Sequence, residues 1–339
     1  MATAAKAPKG KSDTRSLLAE ALLDGCDEAA MFQRLLAAGM SESKARYEIS
    51  RAPKDPLFVA AKRLRARLDK RDWTLGIYGK LAAMDERQTS IPTVDAIDPE
   101  QFFREFYYTN RPVKLTGLID HWPALECWTL DYLEEKVGDV VVELQGDRDS
   151  GEDYEIAKTR HTRHVRMADV IRDLRADEVS NDFYITAYND TTNKQALAAL
   201  WDDLGDLPLL DADGVANGFF WMGPKGTITP FHHDLTNNLL VQIDGRKHIR
   251  MVAAHHVGQM RNHEHCFSQW TAEDFDQAES ESNTMPPMLE CEIGPGEAIF
   301  LPVGWWHHVT GLDRTISMSF TGFAKGNDFY SDYIKDTAF

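Results

Sequence analysis

From about residue 92 onward, the sequence consists largely of short runs rich in β-branched and aromatic residues, separated by turn residues. Runs of this length and composition are typical of β-strands. Asp244-Gly245 and Gly294-Pro295-Gly296 are turn sequences between such runs, and we interpret both as hairpins. Seven runs are predicted to be strands: 113–116, 140–144, 183–188, 218–222, 238–243, 248–252 and 298–301.

The residues before this region have a helical pattern instead. Asp55-Pro56 supplies an N-cap and a first-turn proline, and Leu57, Ala61, Leu64 and Leu68 follow at spacings of four, three and four. These spacings predict a long helix with an apolar stripe. Many short strands with tight turns favour a closed sandwich or barrel, so we expect a mainly β protein with helices at its N-terminal flank.

The predicted organisation has four parts. Residues 1–12 are expected to form a mobile tail, 13–91 a helical accessory region, 92–324 the main domain and 325–339 a C-terminal extension. The apolar stripe of the long helix needs a partner surface, so homodimerisation through the N-terminal helices is one hypothesis. The basic residues in 62–67 are interpreted as the solvated face of that helix.

The charge is distributed unevenly within a formal net charge of −17. Up to residue 90 there are 17 basic and 12 acidic residues, whereas 20 basic and 42 acidic residues follow. An acidic main domain repels phosphate backbones, so nucleic acid is not an expected partner, while a basic peptide is. The excess charge has a simpler alternative role, which is to keep the surface hydrated.

The cysteines and the hydropathy pattern bear on the compartment. No run of about 18 apolar residues is present, and the first residues lack the apolar stretch of a secretory signal. The cysteines show no C-x-x-C spacing, so a disulfide framework is not expected. These features predict a cytoplasmic protein without a membrane anchor. The four cysteines are Cys26, Cys127, Cys266 and Cys291.

The segment Thr229-Pro230-Phe231-His232-His233-Asp234 carries the strongest chemical signal. Side chains alternate along a strand, so His232 and Asp234 share a face and His233 is on the other. His307, in Trp305-Trp306-His307-His308, offers a second imidazole on the same side, while His308 is turned away. Two imidazoles and one carboxylate form the ligand set of non-haem Fe(II) sites. The prediction is an iron site in which His232, Asp234 and His307 are both metal ligands and catalytic residues.

A second cluster of metal-binding residue types has a weaker pattern. His263, His265, Cys266 and Cys291 lack the regular spacing of a zinc site. We interpret their region as part of a polar insertion. Two segments, 147–164 and about 255–287, are expected to shape the substrate entrance, because such loops vary around a fixed scaffold.

In their order along the chain, these motifs resemble the JmjC family, in its cupin-like branch that includes the hypoxia-inducible-factor asparaginyl hydroxylase. The matching segments are Thr229-Pro-Phe-His-His-Asp234, Gln242-Ile-Asp-Gly-Arg-Lys247 and the run from Gly296-Glu297 to Trp305-Trp306-His307. Asn110-Arg-Pro-Val-Lys-Leu-Thr-Gly117 is similar to the opening of the family domain. The resemblance covers about 92–324 and implies a double-stranded β-helix, the jelly-roll fold of cupins, with flanking helices.

The resemblance also implies 2-oxoglutarate as cosubstrate. A lysine point charge on a neighbouring strand suits the far carboxylate of this molecule, and Lys247 occupies the position of the family's lysine. Thr229 and Tyr184 match hydroxyl donors to the same carboxylate, and Asn238 matches an amide four residues after the ligand aspartate. Ser319 matches a further cofactor-side position, where many relatives carry asparagine, so the sequence departs from the family pattern there.

The implied activity is that of a dioxygenase that uses Fe(II), 2-oxoglutarate and O₂ and releases succinate and CO₂. The first expected reaction is hydroxylation of a side chain in a protein or peptide substrate. Lysine demethylation is a less favoured expectation, because relatives with that activity often carry H-x-E. A small metabolite or a modified RNA base are other possible substrates. The competing class is a non-catalytic cupin-fold binding module.

Overall fold

The computed structural model describes residues 13–151, 154–281 and 285–334. The predicted tail 1–12 and the last residues of the predicted extension, 335–339, lie outside the described residues. The chain divides into two compact units between Gly79 and Lys80, within a single helix. The boundary predicted from the sequence lies later, at 91, where the helical pattern ends; the accessory role of the first region stays a prediction.

The first unit is built from helices whose apolar faces meet in one small core. Leu18, Met31 and Leu35 are buried there, together with Ala45. Asp27 and Asp55 cap their helices by accepting hydrogen bonds from backbone amides, at 2.8 Å in both cases. The helices are α1 (Thr14–Leu23), α2 (Glu28–Ala37), α3 (Glu42–Arg51) and α4 (Pro56–Ala83).

The second unit contains two six-stranded sheets and a separate pair of strands. The strands are β1 (Thr93–Asp95), β2 (Val113–Thr116), β3 (Val141–Gln145), β4 (Thr162–Arg166), β5 (Phe219–Gly223), β6 (Ile228–His233), β7 (Asn238–Asp244), β8 (Lys247–Val252), β9 (Asn262–Glu264), β10 (Phe267–Ser268), β11 (Met288–Ile293), β12 (Ala298–Leu301), β13 (Trp306–Gly311) and β14 (Thr315–Phe320). The helices are α5 (Pro99–Phe102), α6 (Ala124–Cys127), α7 (Leu130–Val137), α8 (Lys158–His161), α9 (Met167–Arg175), α10 (Asp190–Ala196) and α11 (Ala272–Glu281).

The two sheets form the predicted sandwich, which confirms the jelly-roll fold class. The first has the order β1-β2-β12-β7-β14-β5 and the second β11-β8-β13-β6-β10-β9. Side chains of β7 point alternately to the two faces of the first sheet, and those on one face pack against the second sheet. Leu239 and Val241 point to the helix-covered side of the first sheet, whereas Leu240 packs with Ile249 and Leu301 between the sheets. On the far side of the second sheet, α11 contributes Phe275 to another core.

The two predicted hairpins are wrong. β7 and β8, joined through Gly245, lie in different sheets, and so do β11 and β12, joined through Gly294 to Gly296. At both of these turns the chain crosses from one layer of the sandwich to the other, so neither turn joins neighbouring strands of one sheet. Glycine is required at the first corner: Gly245 has a φ of +71°, and a Cβ there would lie 1.9 Å from the carbonyl oxygen of Arg314.

The predicted strand at 183–188 is also wrong as a continuous element. Only single bridges occur there, from Tyr184 to Gln145 and from Ile185 to Met222. A short 3₁₀ helix, Ala187–Asn189, then follows. The side-chain oxygen of Asn189 accepts hydrogen bonds from the Thr186 backbone amide and hydroxyl, which offers the backbone a local alternative to a β-ladder.

Ser41 precedes α3 with an extended backbone, as an N-cap residue does, but its side chain makes no capping hydrogen bond to that helix. Within the described residues, no helix combines the length and the apolar character needed to cross a membrane.

Candidate metal centre

A narrow cavity lies between the two sheets, and a wider cavity of about 360 Å³ adjoins it. His232 and Asp234 belong to the walls of both cavities. Lys247 and Tyr184 line only the narrow one. The polar side chains singled out in the sequence therefore converge on one space in the interior of the sandwich.

His232, Asp234 and His307 lie together at the junction of the cavities. One nitrogen or oxygen atom from each lies within 4.8 Å of those from the other two, and among the described residues this is the only such group of three or more potential metal ligands. The Nε2 atom of His232 is 3.6 Å from Oδ1 of Asp234, and that of His307 is 3.9 Å from Oδ2. The three donor atoms thus face a common point, as a metal site requires.

Strand pairing sets this arrangement. β6 and β13 are antiparallel neighbours in which His232 and His307 are direct partners, and their rings are 4.2 Å apart. Asp234 follows β6 immediately and accepts a hydrogen bond from Nδ2 of Asn238 at 3.0 Å. Two strands and one short turn therefore hold all three side chains, without a contribution from a long loop.

The second nitrogen of each imidazole is held by the backbone. Nδ1 of His232 is 2.9 Å from the carbonyl oxygen of Pro230, and Nδ1 of His307 is 3.0 Å from that of Trp305. A carbonyl oxygen can only accept, so each Nδ1 carries the hydrogen and each Nε2 presents a lone pair. Backbone anchoring of this kind orients histidine ligands in metal sites.

The electrostatics keep a carboxylate beside two imidazoles. Burial opposes ionisation of Asp234, but its contacts with His232 and His307 and the hydrogen bond from the amide of Asn238 together hold its pKa well below the usual range. Burial lowers the pKa of His307 to about 4, so its ring is neutral near pH 7. Burial also lowers the pKa of His232, yet its contact with Asp234 outweighs this and raises it. A metal cation placed among these groups would favour the ionised carboxylate and the neutral imidazoles, which are the forms that bind metals.

His233 and His308 point away from this group of potential ligands, although His233 also belongs to the wall of the wide cavity. The ring of His233 packs edge-on against Trp306 at 4.7 Å, and that of His308 lies 5.3 Å from Phe231. Neither residue belongs to the group of potential ligands. Strand alternation therefore places them where the sequence predicted.

Lys247 lies deep in the narrow cavity with only 2% of its surface exposed. Its Nζ atom is 3.1 Å from the hydroxyl of Tyr184. Burial lowers the pKa of Lys247 to about 7 and raises that of Tyr184. A buried ammonium group whose pKa is lowered by burial alone has an unmet preference for an anion, and the tyrosine hydroxyl beside it can donate to the same anion.

The remaining predicted residues also line the narrow cavity, but their contacts differ. Thr229 lies opposite Val309 across the strands. The amide of Asn238 donates to the Asp234 carboxylate, while its buried Oδ1 has no hydrogen-bond partner among the described residues. Ser319 accepts a hydrogen bond from Nε1 of Trp221 at 2.8 Å.

Sequence reasoning missed two parts of the site. Trp221, on β5, lines both cavities; strand alternation could have placed it, but only once the position of β5 in the sheet was known. Arg148 was expected at the entrance, yet it is buried and its Nη2 atom is 3.3 Å from Glu155, a residue that the sequence did not single out. No periodic pattern marks such an ion pair within an irregular segment.

Both predicted entrance segments contribute to the wide cavity. Glu155 and Lys158 come from the segment between β3 and β4. His265, Cys266 and Phe267 come from the insertion after β8. Cys266 is therefore near the centre without belonging to the group of potential ligands, and the side chain of His263 lies outside the described residues.

Comparison with known proteins gives consistent matches. Residues 99–321 match the model of the cupin-like domain family. The chain is 29% identical to lysine-specific demethylase 8 of Xenopus tropicalis over 69% of its own length and 53% of the relative. It is 28% identical to lysine-specific demethylase JMJ30 of Arabidopsis thaliana, over 65% of this chain and 52% of the relative.

A third relative carries a broader name. The chain is 27% identical to Jumonji C domain-containing protein 5 of Drosophila melanogaster, over 68% of this chain and 59% of the relative. The chain spans between half and three fifths of the length of these three proteins.

Proposed function

Because the chain belongs to the cupin-like domain family in its JmjC class, whose members use Fe(II), 2-oxoglutarate and O₂, we propose that it is an oxygenase acting on a basic side chain of a protein or peptide. The observation that carries the proposal is the buried group of His232, Asp234 and His307 beside Lys247 in one cavity. The membership agrees with the resemblance in the sequence.

The donor set suits iron. His232 and His307 would bind the metal through Nε2, because their Nδ1 atoms are held by backbone carbonyls, and Asp234 would supply a carboxylate oxygen. Two imidazoles and one carboxylate leave positions open for a cosubstrate. When bound, Fe(II) and 2-oxoglutarate would couple oxidative decarboxylation to the oxidation of a substrate C–H bond. Asn238 would hold the Asp234 carboxylate in orientation by its hydrogen bond.

The narrow cavity suits 2-oxoglutarate. The ammonium group of Lys247 would pair with the carboxylate distant from the metal, and the hydroxyls of Tyr184 and Thr229 would donate to it. The unpartnered Oδ1 of Asn238 and the hydroxyl of Ser319 line the same space. These residues would fix the cosubstrate by its far end and exclude water from it.

The substrate proposal combines the acidic main domain with the names of the relatives. Two of them are named lysine-specific demethylases, so methyl-lysine stands beside side-chain hydroxylation as a substrate class. The sequence favoured hydroxylation over demethylation because the chain carries Asp234 where demethylases often carry glutamate. That preference is therefore not retained. In both reactions one oxygen atom of O₂ enters the substrate and the other enters succinate, with loss of CO₂. Hydroxylation of an N-methyl group then releases formaldehyde, whereas hydroxylation of a ring or chain carbon leaves a stable product.

The test is succinate formation by the full chain, loaded anaerobically with Fe(II) and then exposed to O₂ with basic peptides. The peptides contain lysine, methylated lysine or arginine. We expect peptide-stimulated turnover that is lost in His232→Ala and Lys247→Ala but kept in the matched variant His308→Gln. Formaldehyde release or a 16 Da mass gain separates the two reaction classes.

A protein that binds the peptides without any turnover, and whose binding is indifferent to His232→Ala, would be a non-catalytic cupin-fold module instead. The cytoplasmic compartment, inferred from the sequence, stays a prediction that microscopy of the tagged chain tests.

We also propose the homodimer predicted from the long helix. Leu57 and Leu64 of its apolar stripe are 41% and 46% exposed, whereas Ala61 is buried. Light scattering at micromolar concentration should give twice the mass of the chain, and Leu64→Glu should give the monomer mass. A monomer in the unmodified protein rejects this proposal.

A further inference from the structure

The wide cavity beside the metal centre contains a cation supplied by the chain itself. Lys158, the first residue of α8, lines this cavity together with Glu155, Tyr188 and Phe267. Its Nζ atom is 3.9 Å from Oε2 of Glu155, 5.1 Å from the ring centre of Tyr188 and 5.9 Å from that of Phe267. A carboxylate and two aromatic rings surround one ammonium group.

Such surroundings favour organic cations in general. Aromatic ring faces attract ammonium and guanidinium groups electrostatically, and most strongly where water is reduced. A carboxylate adds a charge partner for the N–H groups. These features fit the end of a lysine, methylated lysine or arginine side chain.

The acidic part of this arrangement does not depend on Lys158. The other carboxylate oxygen of Glu155, Oε1, is 3.3 Å from Nη2 of Arg148, whose side chain is fully buried. Arg148 is fixed in turn by a hydrogen bond to the carbonyl oxygen of Ile228 and by the ring of Tyr154 at 4.4 Å. Glu155 would therefore keep its position if Lys158 moved away.

The aromatic part adjoins the metal centre. Phe267 is the strand partner of His232 across β10 and β6, and the two rings are 6.0 Å apart. A cationic group held between Glu155, Tyr188 and Phe267 is thus next to the ligand His232. Carbon atoms that precede the cation in a substrate side chain would lie along the same wall.

We propose that Glu155, Tyr188 and Phe267 form a substrate ammonium subsite, that Lys158 occupies it in the free protein, and that the cationic end of the substrate displaces Lys158. This inference rests on the proposed function for the identity of the reacting group, but the subsite itself is a binding claim.

The contacts of Lys158 explain why it can be displaced. Its side chain is 33% exposed, and its distance of 3.9 Å from Glu155 exceeds that of a hydrogen bond. Lysine also has a flexible stem that can carry its charge into water. Arg148 contacts only the Oε1 atom of Glu155, and Lys158 lies beside Oε2, so the charge of Lys158 opposes the entry of a second cation at that oxygen. Lys158 is therefore a specificity-determining residue that excludes weakly bound cations.

The experiment measures binding without turnover. The full chain, loaded with Fe(II) and 2-oxoglutarate under anaerobic conditions, is titrated calorimetrically with three probes: Nα-acetyl-lysine amide, its Nε-dimethyl form and the neutral Nα-acetyl-norleucine amide. We expect Lys158→Met to bind both cationic probes about tenfold more tightly and the norleucine probe within twofold of the unmodified protein. Lys158→Arg, which keeps the cation, should retain the original affinities.

A matched control and a second variant complete the test. Lys325 also lies over an aromatic ring, at 5.6 Å from Phe103, but is not part of the cavity wall, so Lys325→Met should change no affinity. Adding Glu155→Gln to Lys158→Met should abolish the gain for the cationic probes. Thermal unfolding curves show that each variant is folded.

Two results would overturn the inference. One is cationic binding by Lys158→Met that is unchanged or weaker; the other is an equal gain for the norleucine probe, which would make Lys158 a purely steric obstacle. The two proposals fail separately. If Lys158→Met gains affinity for the cationic probes but no peptide gives succinate, the subsite is supported and the oxygenase proposal is contradicted. If peptides give succinate but Lys158→Met gains no affinity, the oxygenase proposal is supported and the subsite is contradicted.

Discussion

On the paired strands β6 and β13, two histidines face the Asp234 carboxylate and two point away from it. His232 and His307 direct Nε2 toward Asp234, with Nδ1 held by backbone carbonyls. His233 and His308 instead pack against the rings of Trp306 and Phe231, although Nδ1 of His233 also lies 3.3 Å from a backbone carbonyl oxygen, that of Asp234. Residue type is the same in both pairs, so the direction of the side chain decides which histidines can bind a metal.

The largest expected effect is on 2-oxoglutarate binding, and it comes from comparing a lysine inside the cavity with one outside it. Lys247→Met should weaken 2-oxoglutarate binding at least 100-fold, because it leaves a carboxylate without a charge partner in a buried space. Calorimetry of the Fe(II)-loaded protein checks this. Lys114→Met is the matched control, because Lys114 pairs with Glu297 at 2.9 Å and does not line the cavities. The affinity of this variant for 2-oxoglutarate should change less than twofold. Comparable losses in both variants would show that the cavity gives Lys247 no special role.

A smaller effect is expected for the residue that supports the aspartate. Asn238→Ala should weaken Fe(II) binding about tenfold, because the Asp234 carboxylate loses its amide donor while all three ligands remain. Competition with a fluorescent chelator measures the affinity. An unchanged affinity would show that the strand and turn alone orient the carboxylate.

The low pKa of Lys247 predicts a proton linkage on the cavity-facing side. With a pKa of about 7, most of this amine is neutral at pH 8, while pairing with a carboxylate requires the ammonium form. Binding of 2-oxoglutarate should therefore take up about one proton at pH 8 and close to none at pH 6, where the amine is already protonated. Affinity should fall as the pH rises above 7. Calorimetry in buffers of different ionisation enthalpy counts the protons, and an enthalpy independent of buffer at pH 8 would contradict the prediction.

The smallest expected effect on metal binding comes from the outer face. Phe275 on α11 is 3% exposed and its ring lies 4.9 Å from that of Phe231. Phe275→Ala should lower the free energy of unfolding by about 3 kcal/mol through the cavity that it creates, and leave Fe(II) affinity within twofold. Urea unfolding and the chelator assay measure the two quantities. A loss of metal affinity as large as that of Asn238→Ala would break the separation between the faces.

Features that depend on a local sequence pattern could be predicted. The bounds of β2 and β12 match their predicted runs, and alternation put His232 and Asp234 on one face while turning His233 and His308 away. Pairing across sheets was not predictable in this way. A Gly245 turn fixes the local backbone conformation, but whether the next strand joins the same sheet depends on burial over the whole sandwich.

The wide cavity was equally beyond local pattern. Glu155 and Arg148 meet in an irregular segment without periodicity, and Tyr184 reaches Lys247 from a single bridge rather than from the predicted strand. Their positions result from tertiary packing, which overrides the β-propensity of the run at 183–188. Residues on loops around a rigid scaffold carry the specificity, so the substrate is the part of the function that the sequence leaves least determined.

Anaerobic Fe(II) titration of the unmodified chain, His307→Gln and His308→Gln compares two neighbouring histidines that face opposite sides of one strand. We expect one tightly bound Fe(II) per chain in the unmodified protein and in His308→Gln, and a loss of affinity of at least 100-fold in His307→Gln. Equal binding by all three proteins, or an equal loss in both variants with both shown to be folded, would contradict the assignment of the metal centre to the inner face.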